Sequence, residues 1–360
     1  MSLSFLPCSG LATAVPPNRL TAGQTADHLA ALCARDVREA ARVHAAVRLS
    51  EVDERCSVLA GDHGEMDFYS RDATPSTAAR MRRYEAEAGP LAARACRLAL
   101  ERAALPAEAV THLVTASCTG FSAPGFDLEL LRKLGLSPAV ARTHLGFMGC
   151  HGAFNALKVA RAFVQADSSA RVLVVCAELC SLHLQRSLHR DALVPNTLFA
   201  DGAAALIVGG EPSGPDLFLG PLASHVFPDS AGAMTWTITD TGFAMTLAPE
   251  VPALIGAGLR PWLEGVLASA GIGLRDVAGW AIHPGGPKIL DAAGKCLGLA
   301  TDDLAASREI LRTHGNMSSA TILFVVEEWK RRHPGAQGVL VALAFGPGLT
   351  AEMALMRLGS

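Results

Sequence analysis

Three segments of the 360-residue chain hold side chains suited to covalent chemistry. Cys150 lies in Gly146-Phe-Met-Gly-Cys-His-Gly152, with glycines on both sides and a good helix sequence following it. A thiol at a helix start feels the positive end of the macrodipole and unpaired N–H groups, which draws its pKa from roughly 8.5 toward about 3.5–7.5. The expectation is a thiolate at neutral pH. His283 sits in Trp280-Ala-Ile-His-Pro-Gly-Gly-Pro287, where an apolar run meets a Pro/Gly turn that holds the ring rigidly. Asn316 lies in His314-Gly-Asn-Met-Ser-Ser319. Singly, each has an ordinary reading: a buried cysteine, a turn histidine, an N-cap asparagine. Together they suit acyl transfer, because the thiolate attacks a thioester, the imidazolium supports it, and two donors hold a developing oxyanion. None of the three segments offers a carboxylate base. A base would favour hydrolysis, whereas a His/Asn donor pair stabilises the enolate left when a malonyl thioester loses carbon dioxide. The chemistry expected is carbon–carbon bond formation.

These residues are remote in sequence, so the fold must bring them together. Val110–Ser117 and Val172–Ala177 read as buried strands, with helical runs over Ser76–Ala103 and Gly152–Gln165. The alternation predicts an α/β fold. Val277–His283 resembles the strand at Val110, and Gly338–Leu343 resembles Arg171–Cys176; both pairs are 167 residues apart (277 − 110 and 338 − 171). A constant offset indicates an internal duplication packed about a pseudo-two-fold axis. The Gly/Pro-rich run Gly209–Pro215 marks the boundary, giving halves 1–215 and 216–360. The same offset carries Cys150 to Met317, beside Asn316, and the strand map brings His283 close by.

Composition narrows the function classes. Half the residues are apolar and only 18% are charged, below the roughly 25% of an average domain, which predicts extensive burial and a homo-oligomer. Lys and Arg total 31 against 34 Asp and Glu, a net −3 with no long block of either sign, so neither nucleic acid nor an anionic membrane is an expected partner. No apolar run approaches the roughly 18 residues of a membrane span. Nine cysteines without a C-x-x-C pair predict reduced thiols and a cytoplasmic location. The cluster Cys176, Cys180, His183 and His189 lacks a zinc knuckle, so no metal is expected.

The segments around His283 and Asn316, together with Leu198-Phe-Ala-Asp-Gly-Ala-Ala-Ala-Leu-Ile-Val208, Ala344-Phe-Gly-Pro-Gly-Leu-Thr350 and Thr13-Ala-Val-Pro-Pro-Asn18, resemble the signature blocks of chalcone synthase-like, type III polyketide synthases. The likeness runs over nearly the whole chain, and the Ser117-Cys-Thr-Gly120 motif resembles bacterial members. The resemblance implies a thiolase fold, an internally duplicated five-layer αβαβα arrangement. It also implies a homodimer that uses acyl-CoA and malonyl-CoA directly, without a further cofactor. The activity it implies is iterative decarboxylative Claisen condensation of malonyl-CoA onto an acyl-CoA starter, followed by cyclisation to a pyrone or a phenolic ring.

By the same resemblance Cys150 is the nucleophile, with His283 and Asn316 the activating and decarboxylating pair. Phe199 matches the aromatic gatekeeper, and Met245 stands where the family has a second aromatic. Cys118, Cys180, His183, Pro195, Trp236 and Ser318 are expected to line the cavity, which Trp236 should narrow. Ala123, before Pro124, matches the residue that reaches across the dimer, typically through a cis bond. Of the family's three CoA-binding cations Arg42 is kept while Ala45 and Leu49 occupy the others, leaving Arg48, Arg55 and Lys288 as substitutes. The alternatives are a single-condensation ketoacyl synthase of the fatty-acid initiation type and a papain-like Cys/His/Asn hydrolase, whose local motifs differ.

Overall fold

The computed structural model describes residues 4–59, 68–69, 74–210 and 217–359. Its strands are β1 (Leu6–Ala14), β2 (Asn18–Thr21), β3 (Glu54–Ser57), β4 (His112–Ser117), β5 (Ala141–Gly146), β6 (Arg171–Leu179) and β7 (Asp201–Gly209). They continue as β8 (Leu217–Val226), β9 (Met234–Thr239), β10 (Gly242–Leu247), β11 (Val277–Ile282), β12 (Gly338–Gly346) and β13 (Thr350–Leu358). The boundary expected at 215/216 falls within 211–216, outside the described residues.

Nine strands join in the order β11-β12-β13-β8-β1-β7-β6-β4-β5. Outward from the β1/β8 seam each side repeats one pattern. β7 lies antiparallel to β1 and β6 as β13 does to β8 and β12, and β4 pairs parallel with β6 as β11 does with β12. The seam itself is three residue pairs, Leu6 with Leu219, Pro7 with Phe218 and Cys8 with Leu217.

Period-two alternation distributes the side chains over three cores. Val172, Val174 and Cys176 of β6, and Leu340, Ala342 and Ala344 of β12, face a central layer that holds Phe154, Leu157, Leu323 and Phe324 of the Gly152–Ala166 and Thr321–Arg332 helices. Their neighbours Leu173, Val175 and Ala177 turn outward against the Thr77–Arg102 helix. Val341 and Leu343 turn outward against the Val251–Ser269 and Pro287–Leu297 helices. Helix, sheet, paired helices, sheet and helix make five layers, the duplicated arrangement expected. Strands buried on both faces favour apolar residues on both, which is why Val172–Ala177 of β6 and Val339–Phe345 of β12 read as hydrophobic runs.

Candidate active site

Cys150 lies in the turn from β5 into the Gly152–Ala166 helix, within a single 3₁₀ turn, Gly149–His151. Gly149 has φ 67°, and a Cβ there would lie 2.4 Å from Pro347 Cδ, so glycine alone admits the β12–β13 turn this close to the thiol. A Cβ on Gly152 would stand 3.1 Å from Cβ of Ser319, its counterpart at the 167-residue offset (319 − 152). The two repeat-related helix starts therefore meet at the centre of the molecule. Phe147 and Ser318, one on each side, hold positive φ values of 58° and 48°. Such conformations cost about 1–3 kcal/mol each and concentrate at functional sites.

His283 follows β11 directly, its backbone N–H donating to Leu343 O at 2.8 Å. The ring is 1% exposed, and neither Nδ1 nor Nε2 has a hydrogen-bond partner among the described residues. Leaving buried polar atoms unpaired costs roughly 1–3 kcal/mol, so an imidazole with two vacant nitrogens is suited to a ligand rather than to holding the fold. Asn316 Oδ1 accepts the Ser318 N–H at 2.8 Å, which fixes the carboxamide and leaves its Nδ2 toward Cys150, 4.0 Å from Sγ. All three side chains line one cavity with Leu198, Phe199, Met245 and Phe345.

The electrostatics correct one expectation. Burial pushes the Cys150 thiol up to about 11, against hydrogen bonds from Ser318 and Asn316 that pull it down. Burial likewise pushes His283 down to about 3, helped by neighbouring His151. The cysteine sits in a buried 3₁₀ turn ahead of the helix, where desolvation of the charged form outweighs the hydrogen bonds that lower its pKa. Both shifts favour the neutral forms, thiol and imidazole.

Cys118, Cys180, Trp236 and Ser318 line an adjoining cavity with Cys150; His183 and Pro195 line the next, and Phe199 and Met245 border both. Trp236 Nε1 donates to Cys118 O at 2.7 Å, pinning the indole as a wall. His183 is a strut: Nε2–H donates to Thr119 O at 2.6 Å, Nδ1 accepts from Phe243 N–H at 3.0 Å, and the ring stacks on Phe243. A carboxyl group does lie close by, which the sequence reading missed. Glu178 of β6 is fully buried, and its oxygens accept from Cys118 N–H, Thr119 Oγ1 and Ser319 Oγ. It lies behind the cavity wall, outside the residues lining the three cavities around Cys150. Its place at the end of a strand-like run gave no signal beyond one polar residue breaking the hydrophobic pattern.

Comparison with known proteins decides the family. Residues 11–212 match the model for the chalcone and stilbene synthase N-terminal domain, and residues 221–359 match the C-terminal domain. The chain belongs to the chalcone and stilbene synthase family. It is 32% identical over 351 residues to the alpha-pyrone synthesis polyketide synthase-like Pks18 of Mycobacterium tuberculosis, covering 95% of this chain and 88% of that one. The Mycobacterium bovis protein of that name matches equally. The crystal structure of PKS-I from the brown alga Ectocarpus siliculosus superposes with a TM-score of 0.93 at 28% identity, covering 99% of both chains. The protein is a type III polyketide synthase, an acyltransferase of thiolase fold, in a family that uses CoA thioesters.

Within this chalcone synthase-like frame the cations separate. Arg42 and Arg48 are exposed on the Val37–Leu49 helix, and Lys288 is exposed in the first turn of the Pro287–Leu297 helix. Arg55 does not belong with them. It is 5% exposed, its Nη1 donating to Asn196 O at 2.7 Å and Phe199 O at 3.0 Å, so the guanidinium is committed inside the protein instead of facing a solvent-side phosphate. Ala123 precedes a cis peptide to Pro124, and the loop lines a separate cavity with Tyr84, Phe126 and Arg132. Among the described residues no helix is long and apolar enough to cross a membrane, and no group of three or more His, Cys, Asp or Glu could hold a metal ion.

Proposed function

We propose that Cys150, His283 and Asn316 form the condensing site of this synthase. His283 takes the thiol proton as Cys150 Sγ attacks the starter thioester, and the departing CoA thiolate is protonated in turn. Malonyl-CoA then loses carbon dioxide, and the enolate oxygen accepts N–H donors from His283 and Asn316. The enolate carbon attacks the acyl–Cys150 carbonyl, a carbon–carbon bond forms, and the Cys150 thiolate leaves. Return of the extended chain to Cys150 allows another round. The observation that carries this reading is His283: a buried imidazole with both nitrogens vacant, in one cavity with the thiol and the carboxamide.

In the same reading Phe199 and Met245 are the gate, Trp236 with Cys118, Cys180, His183, Pro195 and Ser318 bounds the growing chain, and Arg42, Arg48 and Lys288 meet the CoA phosphates. The halves are 1–215, with the nucleophile, and 216–360, with the His and Asn. The protein works as a cytoplasmic homodimer in which Ala123 approaches the partner's cavity. The name of the mycobacterial relatives supports an α-pyrone product, closed when an enol oxygen displaces the thioester sulfur. Incubation with malonyl-CoA and a panel of acyl-CoA starters, read by mass spectrometry with Cys150→Ala as control, tests this. Products extended by two or more acetate units that vanish in the variant support it; a single extension assigns the chain to one-step ketoacyl synthesis.

A further inference from the structure

The commitment of Arg55 to two backbone carbonyls has a consequence for catalysis. Asn196 and Phe199 close the Arg190–Leu198 helix, where carbonyls lack partners within the helix and a cation is favourable. Phe199 is in turn paired with Asn316 in an isolated parallel bridge: Asn316 N–H donates to Leu198 O at 2.8 Å, and Ala200 N–H donates to Asn316 O at 2.9 Å. A Cβ on Gly315 would fall 2.7 Å from Leu198 O, so the chain before Asn316 is glycine where the two segments touch. Beyond the bridge, Asp201 Oδ2 accepts Val58 N–H at 2.8 Å. β3 and its exit thus grip the Phe199–Asp201 segment at both ends, and that segment carries the backbone of Asn316.

We propose that Arg55 is a positioning residue that holds the gate at Phe199 and the carboxamide of Asn316 as one unit. The inference rests on the roles proposed above for those two residues. Before an enolate forms Asn316 Nδ2 has only the long 4.0 Å contact with Cys150 Sγ, and its strongest demand comes with the enolate oxygen, so loosening the brace harms decarboxylation more than thiol attack on the starter, which depends chiefly on Cys150 and His283. A misplacement of about 1 Å costs about 10²-fold in such arrangements.

The test compares Arg55→Ala, Arg55→Lys and Asn316→Ala in two assays, release of carbon dioxide from malonyl-CoA and acylation of Cys150 by a starter acyl-CoA. Arg55→Ala is expected to lose decarboxylation by about 10–100-fold with acylation within about threefold of wild type. Arg55→Lys, which keeps the charge but not the planar fork, should fall between. Methylguanidinium should restore decarboxylation saturably in Arg55→Ala and do nothing for Asn316→Ala. Wild-type decarboxylation in Arg55→Ala, or equal loss in both assays without rescue, overturns the brace. Unimpaired decarboxylation in Asn316→Ala overturns the reading of the site itself, and the two failures are distinct. If Arg55→Ala does not fold, Arg55→Lys carries the same comparison.

Discussion

A thiol that burial holds at about 11 and an imidazole that burial holds at about 3 are a neutral pair until substrate arrives. In the proposed mechanism loading is concerted, with His283 accepting the proton as sulfur attacks and burial keeping the ring unprotonated across the neutral range. Starter acylation in the wild type should accordingly vary little between pH 6 and 9. In His283→Ala it should depend on pre-formed thiolate and climb about tenfold per pH unit toward 11, since each unit multiplies the thiolate fraction by ten. Stopped-flow acylation across that range checks this, and a wild-type plateau with an apparent pKa near 7 points to a resident thiolate. Asn316→Ala should lose about 10²–10³-fold in malonyl-CoA decarboxylation and far less in loading, measured by carbon dioxide release and by acyl-enzyme formation. That Cys150, His283 and Asn316 line one cavity was legible only from the constellation, the 167-residue offset and the family motifs together, since each setting alone also suits an ordinary buried, turn or cap residue. Their protonation states were not, since desolvation depends on walls contributed by Phe199, Phe345 and Leu198, which lie far away in the chain. Arg55 misled for a related reason: nothing in an isolated basic residue tells whether two carbonyls from residues 196 and 199 will receive it.

The β9–β10 hairpin brings two cavity walls at once, Trp236 and Met245, which are cross-strand partners in its register. Because the indole is tied to Cys118 O, Trp236 should act as a fixed stop. Trp236→Ala is expected to give products at least one acetate unit longer, or to accept longer starters, by product mass spectrometry; an unchanged product profile removes it as the limiting wall. His183 ties the turn after β4 to β10 and is held neutral, its pKa pushed down to about 3 by burial. A histidine that stays neutral when folded but titrates near 6.5 when unfolded adds stability above pH 6.5, and that contribution is lost as pH falls toward 3. Each such group removes about 1.4 kcal/mol per pH unit within that window. Urea unfolding between pH 6.5 and 4.5 should therefore show a shallower pH dependence in His183→Asn than in the wild type, and equal slopes contradict the neutral strut. The strands themselves were easily read: the expected Val172–Ala177 run lies inside β6, Arg171–Leu179. Glu178, within that strand, escaped notice because the apolar periodicity that reveals a buried strand says nothing about which polar side chain ends it beside a site.

At the scale of the whole molecule the 167-residue offset carried the architecture, since two copies of one strand order must bury their apolar faces against each other. The β1/β8 seam was not legible: it rests on three residue pairs with Pro7 in the middle, and β1 and β8 are not related by the 167-residue offset. The low charge fraction and a Phe121 that is 51% exposed beside the cis Ala123–Pro124 loop support an interface on that face. Light scattering should give twice the chain mass, and Phe121→Asp should shift it toward the monomer; a wild-type monomer that makes polyketide refutes the interface. The central claim is that the duplication assembles one condensing site, a nucleophile from the first half served by a histidine and an asparagine from the second. It is tested most directly by quenching the enzyme in mid-turnover with malonyl-CoA and a starter, then mapping acylated peptides by mass spectrometry. The account predicts starter and acetate-extended acyl masses on Cys150, with only the starter mass on Cys150 in Asn316→Ala. Acyl groups on Cys118 or another thiol, or extension undiminished in Asn316→Ala, would contradict it.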